Sequence, residues 1–358
     1  MSRLCWSLVC VLAAAGFVSP QQEWKDPSTH AVRSVTVEEG VQLEVLEWGG
    51  SAPRGAASAA RDIVLLAGGG ATAHHYDDLA PELVARGYRV VALTRRGHRG
   101  STAATSGYGF ARLAEDILRV MDATHVTNAI VIGESFAGEE MHILGARYPA
   151  RIRGLVYVDA AFDRGDDADE ADFNPAARAV PTPSSPEDAD RASFTALRAY
   201  LEKYGGAGPE AYLRTRYRTN PDGTIAGLWA PERPVREAMT KELRAAYSPY
   251  KPERIRVPAL AIYACPQSAD DLLRRGSSDR SPYPELVAVA ATDPALRQRI
   301  ETLYQLTRAR VRKHLQWFEA FADRGRAVEI SGNHDLIVSN PREVLEHFDR
   351  FASSLGGP

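Results

Sequence analysis

Cysteine is nearly absent, with three in 358 residues, at positions 5, 10 and 265. The first two lie in an apolar N-terminal stretch, so Cys265 stands alone in the rest. No intramolecular disulfide can then staple the fold, and a hydrophobic core has to hold it. Cys265 ends an apolar run and reads as a small buried hydrophobe rather than a reactive thiol. An excess of charge of either sign is also missing. A net charge of −3 with 25% charged residues provides neither the basic footprint of a nucleic-acid binder nor a polybasic membrane patch. Internal repeats are lacking, as are a Gly-x-Gly-x-x-Gly loop and any His-x-His or His-Glu-x-x-His spacing. No cofactor and no metal is therefore expected. What remains is ordinary globular composition, 44% hydrophobic, in a chain long enough for one large α/β domain with an insertion.

Only one apolar run is long, Leu4 to Val18, preceded by Arg3 and broken by Ser19-Pro20-Gln21. It is too short for a comfortable membrane span and reads as a secretory signal over residues 1–21. A secreted or periplasmic protein without stable membrane insertion is the expectation; lipidation at Cys10 is disfavoured because Val9 precedes it.

Beyond a loose leader, Ser34–Val37 and Val41–Trp48 flank Glu39-Gly40 as a hairpin would. Apolar runs then alternate with helical stretches: Ile63–Leu66, Tyr88–Leu93, Asn128–Ile132, Ile152–Val158, Ala259–Tyr263 and Ala327–Ile330. Continuous apolar strands separated by helices predict a mostly parallel sheet covered on both faces. The interval 164–256 breaks this alternation. It is acidic at first, then Pro-rich (Pro181, Pro183, Pro186), then amphipathic near 192–204 and 209–217, and rich in tyrosine. It is expected to be a helical cap inserted after the sixth strand, dividing a core of residues 34–163 and 257–354.

The most informative segment is Gly133-Glu134-Ser135-Phe136-Ala137-Gly138. An apolar strand precedes it and a helix follows, so the serine falls on a strand-to-helix turn tight enough to need small residues two before and two after it. That turn projects a hydroxyl as a nucleophile. Two other segments bear on catalysis. Leu65-Leu66-Ala67-Gly68-Gly69-Gly70 leaves a strand with glycines whose N–H groups can face a ligand, as an oxyanion hole requires; no Lys-Ser/Thr follows to suggest phosphate binding. Gly332-Asn333-His334 follows the last strand, leaving the histidine free to swing toward Ser135. A serine and histidine pair calls for a carboxylate, placed between them in chain order.

The elbow, the Ala67-Gly68-Gly69 loop, Thr94-Arg95-Arg96-Gly97, the strand Leu155–Ala161 and Gly332-Asn333-His334 resemble the α/β-hydrolase family over roughly Val35 to Phe351. The resemblance implies a Ser–His–acid hydrolase of the α/β-hydrolase fold, with oxyanion donors from the backbone of Gly69 and Phe136. Two departures stand out. Ala67 replaces the family's usual histidine before the oxyanion glycines. Cys265-Pro266-Gln267 occupies the usual place of the acid after the seventh strand. Asp159, ending the sixth strand, is the preferred acid, with Asp163, Asp270 and Asp271 as alternatives; Asp270 and Asp271 also suit a helix first turn. His74, Tyr200, Tyr212 and Trp229 are candidates for the substrate pocket. The expected activity is hydrolysis of a small ester-like substrate through an acyl-enzyme. C–C bond, lactone or amide cleavage on the same triad, or a weakly catalytic binding homologue, remain as alternatives. Ser135 argues against dehalogenase and epoxide-hydrolase chemistry, which needs a carboxylate nucleophile.

Overall fold

The computed structural model describes residues 24–50, 61–164, 170–247 and 252–356. The expected signal segment and the acidic residues Asp166, Asp167 and Asp169 lie outside them. Ten strands are present among the described residues: β1 (Ala31–Glu38), β2 (Val41–Trp48), β3 (Asp62–Leu66), β4 (Arg89–Leu93), β5 (Ala129–Glu134), β6 (Ile152–Val158), β7 (Tyr217–Thr219), β8 (Ile225–Leu228), β9 (Ile255–Ala264) and β10 (Ala322–Ile330). Eight of them form one sheet in the order β1-β2-β4-β3-β5-β6-β9-β10. β1, β2 and β4 pair antiparallel, and every later pairing is parallel.

β3, β4 and β5 are buried along their whole length, because apolar side chains on both faces of a parallel sheet need cover on both sides. One face packs under the helices Phe110–Ala123, Ala137–Arg147 and Pro294–Phe321 through Ile117, Met141, Leu144, Val311 and Phe318. The other packs under Leu79–Ala85 and Pro341–Ser354 through Leu79, Leu83, Val344 and Phe348. Parallel strands bring all their C-terminal ends to one edge, so the residues after β3, β5, β6 and β10 converge there.

The segment between β6 and β9 holds the helices Glu170–Ala179, Phe194–Lys203, Glu210–Arg216 and Arg233–Tyr247, together with the antiparallel ribbon β7–β8. That ribbon is an addition to the all-helical insertion expected from the sequence. A second excursion, between β9 and β10, carries the 28-residue helix Pro294–Phe321. Phe173 and Val180 of the insertion pack against Leu272, Leu273, Ile300 and Leu303 of this excursion, making a third apolar cluster away from the sheet. β10 begins at Ala322, earlier than the apolar run at 327–330 suggests. It lies at the sheet edge, where Asp323 and Arg324 face solvent and hide the strand from a hydrophobicity reading. Among the described residues no helix is long and apolar enough to cross a membrane.

Candidate active site

Ser135 follows β5 directly and has φ of 53°, a left-handed conformation that costs a non-glycine residue about 1–3 kcal/mol. Close packing maintains it. A Cβ on Gly133 would lie 2.3 Å from Met141 Sδ and 2.8 Å from Ala137 Cβ, and one on Gly138 would lie 2.0 Å from the Ala160 carbonyl oxygen. Small residues are required here because the helix Ala137–Arg147 doubles back over the strand it leaves.

Asp159 terminates β6 in the same manner, with φ of 45° and no exposed surface. Its Oδ1 accepts from the Ala264 amide (3.0 Å) and from Ser278 Oγ (2.9 Å). Its Oδ2 lies 2.6 Å from His334 Nδ1, and His334 Nε2 lies 2.7 Å from Ser135 Oγ. A carboxylate only accepts, so Nδ1 carries the proton, and Nε2 of the neutral ring accepts from the serine hydroxyl. Burial works against a charge on His334, but the hydrogen bond and charge of Asp159 outweigh it and push the imidazole up to about 9, above the ordinary value near 6.5. The structure thus brings Ser135, His334 and Asp159 into one hydrogen-bonded line. The other carboxylates are engaged elsewhere: Asp270 pairs with Arg297, and Asp271 Oδ2 accepts from the Gln267 amide and Ser331 Oγ. The Asp163 amide faces His314 Nδ1 at 3.3 Å.

The glycine loop after β3 runs alongside the elbow. A Cβ on Gly68 would lie 3.3 Å from Ser135 Cβ, and one on Gly69 would lie 3.6 Å from Phe136 Cβ. Arg95, whose role the sequence left open, holds this loop from behind. Its guanidinium donates to the Ala67 and Gly68 carbonyls and forms a bidentate pair with Glu140 at 2.6 Å on each arm. With those carbonyls turned to Arg95, the loop is braced without a histidine at Ala67. Glu139 binds Arg164 at 3.0 Å, so both glutamates after Gly138 act as anchors. Gly69 and Phe136 line a small cavity of about 90 Å³ with Tyr108, Met239 and Leu243. The last two come from the helix Arg233–Tyr247, and neither was a pocket candidate from the sequence.

The pocket candidates spread out. Tyr212 packs edge-on against His75 at 4.8 Å. Tyr200 donates to the Ser184 carbonyl and packs beside Tyr204, while Trp229 is half-buried with its amide bonded to Arg216. His74 is buried against Asp77, its Nδ1 3.0 Å from Oδ2. Burial opposes its charge, and Asp77 and Glu44 prevail, lifting it to about 9. Beside the reactive line, Glu134 and Asp335 meet across His75, whose Nε2 is 3.0 Å from one carboxylate and 3.4 Å from the other. Burial, then the charge of Asp335, push Glu134 up to about 7. Two groups among the described residues bring metal-competent donor atoms within 4.8 Å of one another: His75, Glu134 and Asp335, and Asp26, His30, His74 and Asp77.

The family model of the alpha/beta hydrolase fold matches residues 63–197. An esterase/perhydrolase of Acinetobacter calcoaceticus is 32% identical over 115 residues, 32% of this chain and 39% of the relative. A non-heme chloroperoxidase of Burkholderia pyrrocinia is 33% identical over 116 residues, 32% of this chain and 38% of the relative. The similarity thus spans about two fifths of these curated relatives. Among solved structures, E-2-(acetamidomethylene)succinate hydrolase superposes with a TM-score of 0.57 at 16% identity, covering 90% of this chain and 99% of that one. The bromoperoxidase of Bacillus anthracis gives 0.51 at 16% identity, covering 90% and 100%. With its strand order, its serine on the turn after β5 and this match over residues 63–197, the chain has the α/β-hydrolase fold.

Proposed function

We propose that the protein is a serine hydrolase acting on small carboxylic esters. Ser135 attacks the carbonyl carbon while His334 Nε2 takes its proton, and Asp159 stabilises the imidazolium that forms. The Gly69 and Phe136 amides receive the oxyanion of the tetrahedral intermediate. His334 returns the proton to the leaving alcohol. Water then attacks the acyl-serine, with His334 again as base. The observation that carries this reading is the line from Ser135 Oγ through His334 to the buried Asp159 carboxylate. Residues 164–256 act as a cap over the core of 34–163 and 257–354, and the presence of Met239 and Leu243 beside Gly69 and Phe136 supports that role. Residues 1–21 export the chain, a reading supported by their apolar run after Arg3.

Labelling with a fluorophosphonate probe, together with a p-nitrophenyl ester series of increasing acyl length, tests the proposal. Labelling and turnover that vanish in Ser135→Ala are expected; turnover that persists there overturns it. A second acyl acceptor is suggested by the name of the Acinetobacter relative, which couples esterase with perhydrolase activity. Hydrogen peroxide attacking the acyl-serine would release a peracid and the free serine. Peracid formation from an acetate ester and peroxide, absent in Ser135→Ala, distinguishes that outcome from hydrolysis alone.

A further inference from the structure

The geometry points to a zinc site formed by Asp26, His30, His74 and Asp77, which clasps the N-terminal leader to the short 3-10 helix Ala73–Tyr76. The four side chains form a closed ring in which carboxylates and imidazoles alternate. Asp26 Oδ2 lies 3.7 Å from His30 Nε2 and 3.6 Å from His74 Nδ1, while Asp77 Oδ1 lies 2.9 Å from His30 Nδ1 and Asp77 Oδ2 lies 3.0 Å from His74 Nδ1. Hydrogen bonding accounts for half of this ring only, since 3.6–3.7 Å is too long for a hydrogen bond. A tetrahedral zinc ion bound at about 2.0–2.1 Å from each donor separates its ligands by about 3.3 Å. His30 turns Nε2 to Asp26 and Nδ1 to Asp77 and can offer an ion only one of them; one donor atom from each of the four residues still lies within 4.8 Å of the others. Two imidazoles with two carboxylates form a mixed nitrogen and oxygen set that suits zinc better than calcium or magnesium, which favour oxygen alone.

The surroundings fit a metal centre as well. His30, His74 and Asp77 expose 4%, 11% and 3% of their side chains, whereas Asp26 exposes 28% and leaves a path from solvent. His74 Nε2, on the far side of the ring from Asp26 and Asp77, faces Glu44 Oε1 at 3.8 Å. The Ser28 amide donates to Asp26 Oδ1, leaving Oδ2 for the histidines. The His30 ring packs edge-on against Trp48 at 5.3 Å and against His74 at 5.1 Å, which holds both imidazoles in place. Three carboxylates, those of Asp26, Asp77 and Glu44, crowd two histidines, and a divalent cation neutralises most of that negative charge. Sequence spacing conceals the set, because it is divided between residues 26 and 30 in the leader and residues 74 and 77 after β3.

The consequence is structural. The helix Ala73–Tyr76 follows the glycine loop of the candidate active site, and its Ala73 amide donates to Thr94 Oγ1, which in turn donates to Glu44 Oε2. Trp24, two residues before Asp26, lies against the Arg214 guanidinium of the insertion at 4.6 Å. A zinc ion at this point joins the leader, the glycine loop and the insertion.

The test uses the full chain dialysed against EDTA, then titrated with zinc chloride by calorimetry and followed by thermal unfolding, with metal content measured on the protein as purified. One zinc per chain is expected, with a rise in Tm of about 4 °C at a free zinc concentration 100-fold above Kd. Asp26→Asn, at the exposed edge and least able to disturb folding, and His30→Gln should each weaken zinc binding at least tenfold. Circular dichroism confirms that both variants are folded. Absence of stoichiometric zinc, an unmoved Tm, or equal zinc affinity in wild type, Asp26→Asn and His30→Gln overturns the site. Zinc binding lost in His75→Gln but retained in Asp26→Asn also overturns it, in favour of the neighbouring group.

Discussion

His334 and His74 are both raised to about 9 by carboxylates that outweigh burial, yet they sit in different kinds of place. His334 has a carboxylate on one nitrogen and a hydroxyl on the other, and its side chain is 41% exposed. His74 has carboxylates on both sides and is buried. The electrostatic push is the same, but only one ring can pass a proton to and from a nucleophile. The contrast shows that a perturbed histidine does not by itself mark a reactive site. The group on its second nitrogen decides what the perturbation does.

The comparison breaks most directly at the serine. Ser135→Ala should reduce kcat by about 10⁴ to 10⁶ with the fold intact, measured with p-nitrophenyl acetate and circular dichroism. His74→Ala should act on Tm first and retain fluorophosphonate labelling of Ser135. Next comes the acid. Asp159→Asn should lower kcat by about 10⁴, because the amide favours the wrong tautomer of His334; a smaller loss than tenfold would remove Asp159 from the triad.

pH sharpens the contrast further. Catalysis needs neutral His334, so kcat/KM should rise about tenfold per pH unit below its pKa and level off near 9. Stability runs the other way. His334, raised from about 6.5 to about 9, contributes stability that is fully present below pH 6.5 and is lost as pH rises through 9. Tm should therefore decline across the window in which activity climbs, and in Asp159→Asn the residual activity should level off at lower pH. The smallest expected effect belongs to the insertion. Met239→Ala and Leu243→Ala should alter the ranking of acyl chain lengths by about 10-fold, the value of a methylene or two in an apolar pocket, while fluorophosphonate labelling of Ser135 remains. An unaltered ranking would separate the insertion from substrate choice.

Much of the core was legible in the chain itself. Ile63–Leu66 and Asn128–Ile132 are apolar without interruption because both faces of the sheet are covered, and that pattern survives in one dimension. The elbow was legible because Gly133, Ala137 and Gly138 are small for a reason local to the turn. The lower part of β10 was not, since an edge strand tolerates Asp323, Arg324 and Arg326. Arg95 and Glu140, 45 positions apart, gave no pairwise signal, and neither did the approach of Ser278 to Asp159 across 119 positions.

Sequence alone determined the alternation of strands and helices, the turn that carries Ser135, and the class of chemistry that such a turn permits. These depend on side-chain size and polarity at neighbouring positions, where the chain constrains itself. Tertiary structure alone decided which carboxylate meets His334, what braces the glycine loop in place of a histidine, and that Asp26 and His30 reach His74 and Asp77. Each of these depends on distances of a few ångströms between segments far apart in sequence, and only the packing of the sheet and its covering helices sets such distances.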